Sequence, residues 1–456
     1  MLFSSFEFLF RFLPVFLVIY YLTPKKFRNV TLLGGSIVFY TIGEAGYITI
    51  LLACVLVNYT LTRLMYRKNT DGRGIRQKRL LLLALGYDLG VLFFFKYSGL
   101  ASGLPLGISF YTFQIMAYVI DVYRGRIPAE QSLLRLGTYL TMFPQLISGP
   151  ITNYADVRVA LGRERKIKAR QLEEGMKLLI IGLAAKVVIA DRIGTLWNSI
   201  RMIGFDSIST KLAWMGAFAY SLQLYFDFAG YSMMARGIGK MLGFELPVNF
   251  RYPYISKSVT EFWRRWHMTL GGFFRDYVYI PMGGNRKHVF FNLFVVWFLT
   301  GFWHGASWNF IVWGLYNGLF IMLERLFKNQ FEKIPAVIKH IYLILVVDIG
   351  FVFFYFKDIG KAFAYIRVMF GGGSSASSTD FGVTFMNYIY FIILAIILCA
   401  PVSQLIKRFS EKVETSSAFS TTTVGVVRNV SLFVILVVCT AMLAGNSYSP
   451  FLYFQF

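Results

Sequence analysis

Charge is scarce in this chain. Only 15% of its 456 residues are Asp, Glu, Lys or Arg, where a soluble domain carries about a quarter. Cysteine is scarcer still. Cys54, Cys399 and Cys439 sit in apolar segments without metal-ligand spacing, so neither a disulfide framework nor a cysteine-held metal is implied, and packing as small hydrophobes is the plain reading. No HExxH, GxSxG or GxxxxGK[ST] occurs, which removes the signatures of metal hydrolysis, serine hydrolysis and a primary pump. Internal repeats are lacking too, which disfavours the inverted-repeat transporters. Histidine occurs only four times.

What is present is hydrophobic: 56% of the residues, with 18% aromatic. Apolar stretches recur from end to end, each near the roughly 20 residues a helix needs to cross the hydrocarbon. The expectation is an all-α, polytopic integral membrane protein, one membrane domain over residues 1–456 with no soluble domain beside it. The formal net charge of +23 needs no nucleic acid, because the basic residues gather in short loops, as the positive-inside rule requires. A cytosolic basic face would equally attract an anionic donor such as a nucleotide-bearing thioester or an acidic carrier. The first apolar run lacks a basic n-region and a small-residue cleavage site, so it reads as a retained helix.

Spans are expected at Phe6–Leu22, Val30–Ile42, Tyr47–Met65 and Leu80–Phe95. The basic loops at Lys25–Arg28 and Arg67–Arg79 then face the cytosol, which places the amino terminus outside a plasma membrane. A helix ending near Arg124 follows, with Asp121 and Arg124 spaced for a local ion pair, then an apolar run over 132–149. Later spans fall at Val289–Trp303, Ala306–Leu323, Ile341–Phe356 with a continuation toward Phe370, Phe385–Ile406 and Val426–Ala444. Loops are expected at Lys328–His340, at GGGSSASSTD and around Lys407, Arg408, Lys412 and Arg428.

Three polar features interrupt this pattern. Gln223, Asp227 and Tyr231 recur every four residues and share a helix face; the stripe is either a hydrogen-bonded seam between helices or the wall of a substrate tunnel. Residues 250–288 are too charged to span and too aromatic for a free loop, and read as amphipathic and re-entrant helices. Within them, EFWRRWHMTL puts Trp263, Trp266, His267 and Leu270 on one helix face, with Arg264 and Arg265 elsewhere. Those two arginines either hold phosphates or headgroups, or mark the interface.

His267 either packs or positions a substrate. His304, between Gly301 and Gly305 and flanked by Trp303 and Trp308, is the better candidate for a base, since a dry pocket keeps imidazole neutral and able to accept a hydroxyl proton. His288 and His340 follow basic residues and read as loop histidines.

SLQLYFDFAGYSMMARGIG, NFRYPYISKSVTEFWRRWHMTLGGFFRDYVYIPMGGNR, FLTGFWHGASWNFIVWGLYNG and the terminal SPFLYFQF together resemble the membrane-bound O-acyltransferases, and the alginate O-acetyltransferase branch in particular. The resemblance covers nearly the whole chain. It implies a ring of transmembrane helices around a thinned centre, with a tunnel through the membrane. It also implies His304, in the WHG motif, and His267, in the WRRWH motif, as the functional histidines. No cofactor is bound on this reading. Acetyl-CoA or an acyl carrier thioester is a substrate presented from the cytosol, with an extracytoplasmic protein or polysaccharide as acceptor. Gln223, Asp227, Tyr231, Arg264 and Arg265 would then be tunnel or donor contacts, and no metal is needed. Met233 after GYS departs from the acetyl branch and is more similar to the enzyme that exports D-alanine for teichoic acids. GGNR at Gly283–Arg286 and the SPFLYFQF tail favour acetyl. A cell-wall precursor transporter and a membrane scaffold are the rivals from other classes.

Overall fold

The computed structural model describes residues 2–66, 74–100, 103–205, 207–373, 378–402, 404–406, 408, 418–445 and 452. Among them there is no β-strand. The helices are α1 (Leu13–Leu22), α2 (Arg28–Glu44), α3 (Ile48–Met65), α4 (Ile75–Tyr97), α5 (Ile108–Tyr123), α6 (Leu133–Thr141), α7 (Phe143–Leu146), α8 (Tyr154–Gly162), α9 (Ala169–Ala184), α10 (Asp191–Ile203) and α11 (Thr210–Met241). They continue with α12 (Val259–Arg265), α13 (Met268–Phe274), α14 (Val289–His304), α15 (Trp308–Leu326), α16 (Lys328–Lys333), α17 (Ala336–Tyr355), α18 (Ile359–Arg367), α19 (Ser378–Cys399) and α20 (Ala418–Gly445). Runs long and apolar enough to cross a membrane cover Lys25–Met65, Ile75–Tyr97, Ala336–Tyr355, Phe381–Cys399 and Thr423–Gly445, with shorter apolar helices at Phe8–Leu22 and Val289–His304. Their outer faces carry exposed Val18, Leu82, Leu83, Ile397 and Val434. Lipid, not water, is the solvent in which such a surface is stable.

The chain forms two compact units. Met1–Leu179, Tyr231–Val248 and Gly272–Pro281 make one, and Ile180–Gly230, Asn249–Gly271 and Met282–Phe456 the other. In the first unit Phe3, Phe39 and Phe143 cluster with ring centroids 5.3 to 6.4 Å apart, and Tyr231 stacks on Phe3 at 4.7 Å. Arg165 is buried there and donates to Tyr20 Oη (3.0 Å), Asn29 Oδ1 (2.8 Å) and the Ala160 carbonyl, so its charge is spread over acceptors that survive away from water.

In the second unit α14 and α15 form a hairpin whose closeness depends on glycine. A Cβ on Gly301 would collide with the Phe310 carbonyl, and one on Gly314 with the Trp297 carbonyl. Helix backbones approach this closely only over small residues. The N-terminus of α12 is fastened to the same hairpin: Ser258 Oγ accepts from Glu261 N (3.0 Å), and the Glu324 carboxylate on α15 accepts from Val259 N (2.5 Å) and Thr260 N (2.9 Å). Orphan helix donors are thus satisfied, and a carboxylate faces the positive end of the helix.

Several expectations are corrected. EFWRRWHMTL is not one helix: α12 ends at Arg265, His267 takes a left-handed φ of 43°, and α13 starts at Met268. Asp121 pairs with Arg126 (3.3 Å) and accepts from Tyr277 Oη (2.9 Å), while Arg124 donates to the Asp276 carbonyl and lies over the Tyr277 ring; each side chain is engaged by another partner, and the expected local pair does not form. The 132–149 run breaks into α6 and α7 around Met142, whose φ and ψ of −52° and 110° are not helical. The span from Ile341 stops at Tyr355, and α18 begins after Asp358 caps it by accepting from Gly360 N. His340 lies within α17, not in a loop, and Arg428 lies within α20. Residues 374–377 of GGGSSASSTD, the Arg67–Arg73 stretch, and Lys407 and Lys412 lie outside the described residues; Ser378 already begins α19.

Candidate active site

His304 is the last residue of α14, and its side chain is 3% exposed. Its ring is enclosed by aromatics from three helices: Trp303 at 4.7 Å between centroids, Trp313 at 5.0 Å and nearly perpendicular, Phe354 at 5.0 Å and nearly perpendicular, and Phe310 at 6.1 Å. The end of α17, which supplies Phe354, is tied to the start of α15 by Asn309 Nδ2, which donates to the Phe353 carbonyl at 3.2 Å. Ser307 Oγ donates to the Lys357 carbonyl at 3.0 Å.

His267 belongs to the same unit and is equally buried. Its edge meets Phe228 at 4.8 Å, and Trp303 lies at 6.4 Å on another side. Phe228, His267, Trp303 and His304 therefore form a continuous row of rings. The single indole of Trp303 touches both candidate histidines.

The turn at His267 is organised by Asn249. Met268 N donates to the Asn249 carbonyl (2.9 Å), while Asn249 Oδ1 lies 3.0 Å from His267 Nδ1 and accepts from Thr269 N (3.3 Å) and Thr269 Oγ1 (2.9 Å). A backbone N–H can only donate, so that amide oxygen is fixed as an acceptor. His267 Nδ1 must then carry the proton, which leaves Nε2 as the nitrogen with a lone pair. Burial pushes the His267 imidazole down to about 3, so it is neutral near pH 7. A left-handed, non-glycine residue costs on the order of 1–3 kcal/mol, and such outliers cluster at working sites.

The other predicted site residues divide. Asp227 is buried and ion-paired with Lys186 at 2.7 Å; Lys186 also holds Asp191 at 2.7 Å, and Asp227 Oδ2 accepts from Leu452 N at 2.9 Å. Gln223 lies against Gly194, where an added Cβ would strike its amide. Tyr231 belongs to the other unit. Arg265 pairs with Glu261 at 2.9 Å and donates to the Arg251 carbonyl, and Arg264 is exposed. The two histidines are thus brought together through one indole, and α11 contributes Phe228, which meets His267 and is not a member of the predicted stripe. Among the described residues no group of three or more His, Cys, Asp or Glu could hold a metal ion.

Sequence reasoning missed Asn249, Lys186 and Glu324. A lone Asn eighteen positions before a histidine has no spacing signal, and a Lys in LAAKVVIA offers only the rule that a cation in an apolar run needs a partner.

A family model for the membrane-bound O-acyltransferases matches residues 37–365. The chain is 35% identical to the probable alginate O-acetylase AlgI of Pseudomonas putida over all of both chains. It is 30% identical to the peptidoglycan O-acetyltransferase of Helicobacter pylori over 100% of this chain and 98% of that one. It is also 32% identical to the teichoic acid D-alanyltransferase of Bacillus subtilis, over 57% of this chain and 69% of that one.

Proposed function

The chain belongs to the membrane-bound O-acyltransferase family and is an O-acyltransferase, and from that premise we propose that it moves an acetyl group from a cytosolic thioester to a hydroxyl of a cell-surface polysaccharide, directly or through an extracytoplasmic acceptor protein. The observation that carries the reading is the pair of buried histidines on either side of Trp303. The plasma membrane, the outside amino terminus and the donor, acetyl-CoA or an acyl carrier, belong to the same proposal.

The thioester enters from the face that bears Arg251, Lys257 and the exposed Arg264, whose charges suit a phosphate-bearing donor. Gln223, packed against Gly194, and Asp227, ion-paired with Lys186, brace the helix that carries Phe228. His304 takes the proton of the acceptor hydroxyl as that oxygen attacks the thioester carbon. The C–S bond breaks, and the thiolate leaves and is protonated to the thiol. Holding both reactants together supplies proximity, and the His304 imidazole supplies the base. His267 is neutral, with Nδ1 committed to Asn249; it positions a reactant through the ring face or Nε2.

Met233 in GYSM favours a second reading, in which the group moved is D-alanyl. Purified protein incubated with labelled acetyl-CoA, and separately with a labelled D-alanyl carrier thioester, tests both. Consumption of neither thioester, with the chain folded, would overturn the reading.

A further inference from the structure

A carboxylate that the acyl-transfer reading leaves unused lies inside the second unit. Asp348 is well within the apolar helix α17, is 2% exposed, and accepts from the hydroxyl of Ser221 on α11, which is itself buried. Asp227 has Lys186 beside it, whereas Asp348 has no ion pair among the described residues. A carboxylate at membrane depth without a cation is costly to keep, and its default reading is a working group.

Its neighbours show what it holds. Ser221, Tyr225 and Phe228 stand at i, i+4 and i+7 and so share one face of α11. Tyr225 reaches the Trp266 ring at 6.0 Å, and Phe228 meets the His267 ring at 4.8 Å. On α17, Phe351 follows Asp348 by about one turn and touches Trp266 at 5.2 Å, and Phe354 is the ring against His304 at 5.0 Å. Trp266 is therefore wedged between the two helices that the Ser221 to Asp348 bond ties together, and the next residue is His267. Tyr254, shortly before α12, donates to the Ser221 carbonyl at 2.8 Å and packs on Tyr225 and Phe262. Three elements thus converge on Ser221.

We propose that Asp348 is a positioning residue for acyl transfer: by holding Ser221 it fixes the gap between α11 and α17. That gap sets both the Trp266 wedge beside His267 and the Phe354 ring against His304. Asp348 itself touches no reactant. Closely packed rings transmit a displacement because they have no free volume to absorb it, and misplacing a reacting group by about 1 Å can cost on the order of 10² in rate. The inference deepens the acyl-transfer reading and rests on it for the reaction, but the geometry can be followed without turnover.

The test measures kcat and KM of the full chain in detergent, with labelled acetyl-CoA or a labelled D-alanyl carrier thioester, whichever the wild type consumes. Beside it, nitrogen NMR of protein carrying [15N]histidine follows the four imidazoles, the His267 signals being assigned from their loss in His267→Asn. Asp348→Ala should lower kcat about tenfold or more while KM stays within about twofold, the pattern of a loss felt in the transition state rather than in binding. Asp348→Asn, whose amide oxygen still accepts from Ser221, should keep most of the rate. Ser221→Ala breaks the same bond with a smaller change of volume and should lose a similar factor. The double variant of Ser221→Ala with Asp348→Ala should lose no more than the larger single loss. The His267 signals should shift or broaden in both alanine variants and return to their wild-type positions in Asp348→Asn. Should Asp348→Ala fail to elute as the wild type does, Ser221→Ala and Asp348→Asn carry the same comparison. Wild-type kcat in the alanine variants, a loss in Asp348→Asn as large as in Asp348→Ala, or single losses that multiply in the double variant would overturn the proposal. A lowered melting temperature with kcat and the His267 signals unmoved would also overturn it, leaving Asp348 a packing residue. If the wild type consumes neither thioester, the enzymatic reading fails and the spectra still decide: His267 signals indifferent to Ser221→Ala refute the clamp, and signals that move there but not in Asp348→Asn support it.

Discussion

At His304 the surroundings are aromatic, and its contacts with Trp303, Trp313 and Phe354 fix the ring's place without consuming a carboxylate. His304→Ala should therefore lower acyl transfer by about 10² to 10⁴, the range supplied by a positioned acid or base, with the protein still inserted and eluting as the wild type on size exclusion; retention of most activity would remove it as the base. Asn249 makes a subtler prediction. Asn249→Ala should slow turnover by about tenfold or more, in line with losing a partner that orients an imidazole, whereas Asn249→Asp, which keeps an acceptor at the same place, should recover much of it. Equal losses in both would mean that the residue only shapes the turn. His267 also links stability to pH. Its value falls from an ordinary 6.5 to about 3 on folding, so between those pH values the unfolded chain binds more protons than the folded one, and stability is lost as pH drops through that window. His267→Asn removes the titration while tolerating the left-handed backbone. The thermal midpoint of this variant should fall less than that of the wild type from pH 7 to pH 4, and parallel slopes would refute the linkage.

Helix pairs set where these residues sit, and the α14–α15 hairpin is the element on which both histidines depend, since it holds His304 directly and fastens α12 through Glu324. Gly314→Val should disrupt it, because the new side chain meets the Trp297 carbonyl and the Gly301 backbone. A destabilisation of several kcal/mol is expected where overpacking forces backbone apart, seen as a large drop in the detergent melting temperature together with loss of activity. Gly34→Ala is the control: that helix site has nothing within 4 Å, and the substitution should be neutral or mildly stabilising. Similar losses at both glycines would show that close approach is not what Gly314 provides. Elements of this kind were largely legible beforehand. The apolar runs at Ile48–Met65 and Ala336–Tyr355 announce themselves by length and hydropathy, and the shorter Val289–His304 by hydropathy, and the Gly301 to Gly305 spacing announced a tight neighbour. The break at His267 was not legible, because its cause is Asn249, eighteen residues away in sequence, and periodicity within EFWRRWHMTL reads only local order. Lys186 with its two carboxylates was hidden for the same reason: Asp227 is in another helix, and an ion pair across helices leaves no spacing to read.

Across the whole molecule, charge should tell the two faces apart. Basic residues cluster between spans around Arg76–Arg79, Arg158–Arg170, Arg251–Lys287 and Lys328–Lys339, and the positive-inside rule assigns all of them to the cytosol. The proposed reaction then has a direction, with thioester taken from the basic face and hydroxyl acylated on the other. Vesicles of defined orientation can read this directly. Inside-out vesicles given external labelled acetyl-CoA should consume it, and right-side-out vesicles should not, because the donor cannot cross lipid unaided. An epitope fused to the amino terminus should be protease-accessible only in right-side-out vesicles. Adding high salt should slow donor consumption through KM more than through kcat, since screening weakens the long-range attraction between the basic face and an anionic donor without touching the buried His304. If labelled donor were consumed equally from both faces, or only in right-side-out vesicles, the orientation would be wrong.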